Sequence, residues 1–272
     1  MIKTLAAANK SEREHFKIPR SVQQSIPIQR IYRDGIWMVN GKYSRTWRFA
    51  DINYSVASHE DQQEMFLSYC GVLNSLPTGA TAKITINNRR LNGTDFQHSV
   101  LMRLKGDGLD KYRQEYNGIL MEKAVESNNL IQDKYITISV ERKNIEEART
   151  FFKRVDIDLG KSFGKLDSGA KALDNHERLR IFHDFFRPGE EQDFRIDLSE
   201  AMKRGHSFKD AIAPDGMQFK ADHFEISGKV GRVLFLREYA SYIKDRMITD
   251  LSDFSRNLML SIDILPVPTN EA

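Results

Sequence analysis

Apolar and polar residues repeat along this chain with two periods, and the switches between them lay out its elements. Arg30 to Val39 and Tyr43 to Tyr54 are β-rich runs separated by Asn40-Gly41. That dipeptide is a strong hairpin signal, because a type I′ turn needs positive φ at both central residues. In the second run Tyr43, Arg45, Trp47 and Phe49 share one face. The period then becomes helical. Ser58 caps a helix with Asp61 three residues on, Met65, Phe66, Tyr69, Val72, Leu73 and Leu76 form its apolar stripe, and Pro77 with Gly79 stops it. Lys83 to Asn87 alternates as a strand, residues 109–127 read as a polar helix carrying Tyr112, Tyr116, Ile119 and Leu120, and Tyr135 to Val140 alternates again. Asn144 and Glu147 then open a helix with Ala148, Phe151, Phe152, Val155 and Leu159 on one face. The order β-β-α-β-α-β-α predicts an α+β fold, with helices packed on one face of a mainly antiparallel sheet.

Beyond residue 160 the pattern loosens. Asn175 to Phe186 reads as a helix with Leu179, Phe182 and Phe186 apolar, ended by Pro188-Gly189, and a shorter polar helix follows near Leu198. A local echo of the first hairpin then appears, with Ser227-Gly228-Lys229-Val230-Gly231-Arg232 matching Asn40-Gly41-Lys42-Tyr43-Ser44-Arg45. A helix-like stretch near Tyr242 to Phe254 and a strand near Leu258 to Val267 complete the parallel. Two related hairpin-helix-strand subdomains would account for it, and so would the plain frequency of Gly-Lys turns. The expected division is an arm at 1–27, a first α+β subdomain at 28–166, a helical connector at 167–216 and the start of a second subdomain at 217–272. Pro266, Pro268 and Thr269-Asn270-Glu271-Ala272 read as a cap and first turn, so the second unit is expected to be cut short.

Composition narrows the function more than the fold. The chain has 272 residues, of which 40% are hydrophobic, which is enough for real cores. No run approaches the roughly 18 to 20 uncharged apolar residues of a spanning helix, and Met1 to Lys10 lacks a signal-peptide core. Cys70 stands alone and fits a reducing, cytoplasmic setting. A net charge of +3, from 41 basic and 38 acidic residues, argues against a dedicated nucleic-acid binder.

No catalytic motif is complete. Gly160-Lys161-Ser162 lacks the earlier glycine of a phosphate loop, since Val155 holds that position, and it follows a helix where a strand is required. His176, His183 and His206 lack metal-ligand spacing, and Cys70 has no evident base. Asp156 with Asp158, and Glu146 with Glu147, fit solvated helix faces or caps. Basic residues with aromatic neighbours, namely Lys42, Arg45, Arg48, Arg89 and Arg90, could contact a nucleic-acid strand or could form the solvated face of a hairpin.

Ser21-Val22-Gln23-Gln24-Ser25-Ile26-Pro27-Ile28, Asp34-Gly35-Ile36-Trp37, Asn40 to Phe49, Asp51-Ile52-Asn53-Tyr54 and Gln62-Gln63-Glu64 together carry a resemblance. The chain resembles, over essentially its whole length, the amino-terminal region of conjugative-transfer ATPases of type IV secretion (the VirB/TraE type) from mobile elements of Gram-positive bacteria. The resemblance implies a non-catalytic docking and oligomerisation region at the cytoplasmic membrane face, contacting other channel proteins at the inner-membrane base. It places ATP and Mg only in a carboxy-terminal motor and implies no cofactor, metal or catalytic residue here. Exposed hairpin edges are the expected contact surfaces. The candidate interaction residues are Asn40, Gly41, Lys42, Arg45, Arg48, Ser227, Gly228, Lys229 and Arg232. A DNA-contacting module is the alternative.

Overall fold

The Asn40-Gly41 dipeptide makes the turn its chemistry requires, with φ of 48° and 77°. It joins β2 (Trp37–Val39) to β3 (Lys42–Phe49) in a computed structural model. The structure describes residues 19–90, 100–126, 130–191, 193–235, 246–254 and 256–267, with Glu238, Ser241 and Tyr242. The run read as one strand from Arg30 is broken. β1 (Ile28–Ile31) ends before a tight turn in which Gly35 takes φ 76° and donates its amide to the Tyr32 carbonyl at 3.1 Å. A Cβ on Gly35 would stand 2.8 Å from the Leu173 carbonyl oxygen, so both conformation and space demand glycine.

β3 pairs antiparallel with β5 (Leu130–Val140), which pairs with β4 (Ala80–Arg90) over eleven registered positions. β6 (Ala170–Ala172) extends the sheet beside the second half of β3. Helix α1 (Val22–Ser25) precedes β1, α2 (His59–Asn74) links β3 to β4, α3 (Asp110–Glu126) lies between β4 and β5, and α4 (Ile145–Lys165) follows β5. The expected caps are present: Ser58 Oγ accepts from the Asp61 amide, and Asn144 Oδ1 from the Glu147 amide. Gly160-Lys161-Ser162 lies within α4.

One face of the sheet closes against α2 and α4. Tyr43, Trp47, Ile136, Ile138, Val140, Ala80 and Ala82 meet Val72, Leu76, Phe152, Val155, Leu159 and Phe163 there. Arg45 shares that face and is neutralised in place. Asp156 of α4 accepts from Arg45 Nη1 at 2.6 Å and from the indole nitrogen of Trp47 at 2.7 Å. One carboxylate thus accepts from both Arg45 Nη1 and the Trp47 indole, while Arg45 Nε is buried with no partner among the described residues.

Helix α5 (Asn175–Phe186) starts at a complete capping box, Asp174 with Glu177, and lies over the opposite sheet face. There Leu179 joins Ile26, Ile28, Trp37, Ile212 and Ala213 in a second core. Ile26, assigned by sequence to a loose arm, is held because Lys209 Nζ donates to the Gln23 and Ile26 carbonyls at 2.9 and 2.8 Å. Helix α6 (Leu198–Lys203) precedes a three-stranded sheet, β7 (Met217–Phe219), β8 (Phe224–Ile226) and β9 (Lys229–Gly231).

Ser227 and Gly228 repeat the first turn, with φ of 46° and 75°. Past that turn the chain runs through β9, a helix and a further strand, the hairpin-helix-strand order expected of the second unit. After α7 (Arg246–Ser252), β10 (Leu258–Ile264) pairs with β4 over seven residues, so the strand expected to close the second unit joins the first sheet. Residues Thr269 to Ala272, read as a helix cap, lie outside the described residues.

Two substitutions test this packing by urea denaturation. Gly35→Ala is expected to cost about 1–3 kcal/mol from backbone strain and the Leu173 clash. Asp156→Ala, which strands Arg45 and the Trp47 N–H, is expected to cost about 1–3 kcal/mol, whereas a free surface carboxylate would cost less than about 0.5.

Candidate functional site

Strand alternation that buries one sheet face aims the other set of side chains at α5. Register arranges that second set in rows. Ser44, Ser139 and Thr81 form one, Thr46, Thr137, Lys83 and Asp263 the next, and Arg48, Tyr135, Thr85 and Ser261 a third. Thr46 and Thr137 share a hydroxyl–hydroxyl bond of 2.9 Å. Most of the serines and threonines in these rows are too short to fill the space beneath the helix. A cavity of about 560 Å³ lies between them and Ile181, Phe182, Phe185 and Phe186, with Met259 at one side and Lys42, Lys83 and Asp263 also lining it.

Arg178 lines the same cavity. Its guanidinium stacks 4.1 Å above the Trp37 ring and is buried. Nη1 donates to the carbonyls of Gly35 and Ser44 at 3.0 and 3.1 Å, and Nη2 donates to Ser44 Oγ at 3.2 Å. No carboxylate among the described residues pairs with it. Burial, and next the nearby Arg45 guanidinium, push its pKa down to about 9. Trp37 is fixed in turn, because its indole N–H donates to Asn175 Oδ1 at 2.8 Å.

A second polar cluster sits where β3, β4 and β5 meet α5. Asp133 accepts from Arg89 at 2.8 Å and is paired with Arg48 at 3.1 Å. Around a neighbouring space of about 190 Å³, Arg48, Arg89 and Tyr135 face His176, Glu177, Arg180 and Asp184 of α5. Tyr135 is almost wholly buried, and burial first, then the Asp133 carboxylate, push its phenol up to about 12.

The residues singled out from sequence are thus scattered. Arg48 comes together with Arg89, while Arg45 lies on the other sheet face with Asp156. Lys42 pairs with Glu141 at 3.3 Å. The Asn40-Gly41 tip is held by the Gly41 amide donating to Gln29 Oε1 at 3.0 Å. At the second tip, Ser227 Oγ accepts from the Asp215 amide at 3.1 Å, Lys229 donates to the Pro188 carbonyl, and Arg232 donates to the Asp222 carbonyl at 3.3 Å; Gly228 supplies the turn. The side chain of Arg90 lies outside the described residues. His176 and His183 both pack on Phe194, with ring centroids 4.9 and 5.0 Å away. Among the described residues no group of His, Cys, Asp or Glu is placed to hold a metal, and no helix is long and apolar enough to cross a membrane.

Sequence reasoning missed Arg178, which sits inside an apolar helical stripe and looks like a solvated charge. It also overestimated the α2 stripe. Phe66 and Tyr69 of α2, and Tyr112, Tyr116 and Ile119 of α3, are exposed. No family model matches this chain, and no curated protein matches it.

Tyr135 gives a pH test. Its folded pKa lies above the ordinary value of 10, so its contribution to stability is complete below pH 10 and is lost as pH rises through 12. The wild-type chain is therefore expected to lose stability across that window by on the order of 2–3 kcal/mol more than Tyr135→Phe, measured by urea melts at stepped pH.

Proposed function

We propose that this chain is a non-catalytic docking and assembly region of a type IV secretion ATPase. It works by protein–protein contact with channel components at the inner-membrane base, on the cytoplasmic side. The observation that supports this reading best is the outer face of α3. Leu109, Tyr112, Tyr116 and Ile119 follow helical spacing and are 57%, 66%, 49% and 48% exposed. Met102 and Leu104, ahead of the helix, are exposed as well. Apolar surface left in water on this scale costs free energy that a partner can recover, and a stripe at i, i+4 and i+7 is the pattern by which a helix seats in a groove.

The segment is built to present that face. The Met102 amide donates to Asn117 Oδ1 at 2.8 Å and the Asn117 amide donates back to the Met102 carbonyl at 2.9 Å. The amides of Lys105 and Gly106 donate to Asp110 at 3.0 and 2.7 Å, and Arg113 pairs with Asp107 and Asp110. Local bonds thus order a stretch whose apolar side chains have little core to hold them. The DNA-contacting reading has less support, because Arg45, Arg48 and Arg89 are each engaged by a carboxylate. ATP and Mg belong, on this proposal, to a motor region outside this chain.

Two measurements test it. Tyr116→Glu with Ile119→Lys is expected to lower co-purification of inner-membrane channel components at least tenfold while leaving the unfolding midpoint unchanged. Equal recovery from wild type and variant would count against α3 as the contact. A clean preparation is expected neither to bind nor to hydrolyse ATP, and measurable turnover would sink the non-catalytic reading.

A further inference from the structure

We propose that the cleft beneath α5 is a binding site for a small amphipathic anion. Its apolar body would lie between the hydroxyl floor and the Phe182, Phe185 and Phe186 wall, with its acidic group on Arg178. This does not depend on the docking reading, since the residues it uses are not those of the α3 stripe.

Three features of the cleft lead to this conclusion. The first is its size and lining. About 560 Å³ falls within the range of small-molecule sites, and such sites pair a largely apolar wall with a few placed polar groups. Here the wall is aromatic, and Ser44, Thr46, Thr137, Ser139 and Thr81 supply hydroxyls at registered positions along the floor.

The second is charge. A buried cation is ordinarily compensated by a counter-ion. The chain follows that rule for Arg45 with Asp156 and for Arg89 with Asp133, both partly buried. Arg178 is the more deeply buried guanidinium, and among the described residues it meets two carbonyls, one hydroxyl and the face of Trp37. Burial first, and the nearby Arg45 guanidinium second, depress its pKa. An anion in the cleft would supply that charge, and Lys42 and Lys83, whose carboxylate partners are 3.3 and 3.4 Å away at the surface, would favour its entry.

The third is that the cleft is held open. Arg178 ties α5 to Ser44 and Gly35 on one side, and the Arg48–Asp133–Arg89 cluster with Arg180 and Asp184 stands between sheet and helix on the other. A preformed cavity spares a ligand the cost of opening it.

Anilinonaphthalene sulfonate is a suitable probe, with uncharged phenylnaphthylamine as its control, both read by methyl NMR on the full chain. Saturable binding of one sulfonate per chain is expected to shift the Ile181 and Met259 methyls. Arg178→Met is expected to weaken the sulfonate about tenfold to a hundredfold and the uncharged probe less than twofold. Equal weakening of both probes would overturn the assignment of the acid to Arg178. Shifts confined to Ile119, Met121, Val233 and Leu234 would overturn the site. Should Arg178→Met fail to fold, Ser139→Phe fills the floor and Phe185→Ala opens an exposed part of the wall. Ser139→Phe is expected to abolish binding of both probes and Phe185→Ala to weaken both, and unchanged binding in either variant would refute the proposal.

Discussion

In a β-strand every second side chain faces the same way, so the seven-residue pairing of Tyr43–Phe49 with Lys134–Val140 decides two surfaces at once. Tyr43, Trp47, Ile136 and Ile138 go to the α4 side, and Ser44, Thr46, Thr137 and Ser139 to the α5 side. A slip of one residue would exchange the two sets. Asp156 helps to prevent it, because a single carboxylate receives both Arg45 and Trp47 from alternate positions of β3. The main core, the hydroxyl floor and the surroundings of Arg178 all follow from that one alignment.

The two faces solve the packing problem differently. Toward α4, long apolar side chains fill the space between layers, with Trp47 and Phe152 rings 6.2 Å apart and both buried. Toward α5, the serines and threonines are short, and apart from the Ser44 bond to Arg178 they leave a gap beneath the helix. Contact is made instead at the β1–β2 end, through Trp37, Leu179 and Phe182, and through charged groups at the β3–β5–β4 junction. A helix anchored at its margins and unsupported between them leaves a cleft. Most protein interiors do not tolerate such a void, and here its lining is polar on one side and aromatic on the other.

Local chemistry was legible in the sequence wherever a few neighbouring residues determine the outcome. Asn40-Gly41 required a particular turn, Ser58 and Asn144 announced helix starts, and the alternation of Tyr43, Arg45, Trp47 and Phe49 identified a single face that the structure reproduces. Long-range pairing was not legible. Nothing in Leu258 to Ile264 says that its partner is β4, about 175 residues earlier in the chain, because a strand's sequence encodes its faces and not its neighbour. The same limit concealed the cleft. The Ser/Thr positions of three strands were visible separately, as alternating polar residues, and only register assembles them under α5. Arg178 was missed because an arginine on an amphipathic helix is ordinarily a solvated charge. The exposed stripes of α2 and α3 show the converse, since helical periodicity reveals an apolar face without saying whether this chain covers it.

The account centres on Arg178, a buried guanidinium that lines a preformed cavity and has no carboxylate partner among the described residues. An experimental structure from crystals soaked in bromide tests this most directly, through the anomalous signal of the ion. The expected result is an open cleft with bromide within contact distance of the Arg178 guanidinium, inside the walls formed by Ser44, Thr137 and Phe182. A cleft closed by Phe182 and Phe185 packed onto Thr137 and Ser139, or a protein carboxylate paired with Arg178, would contradict it.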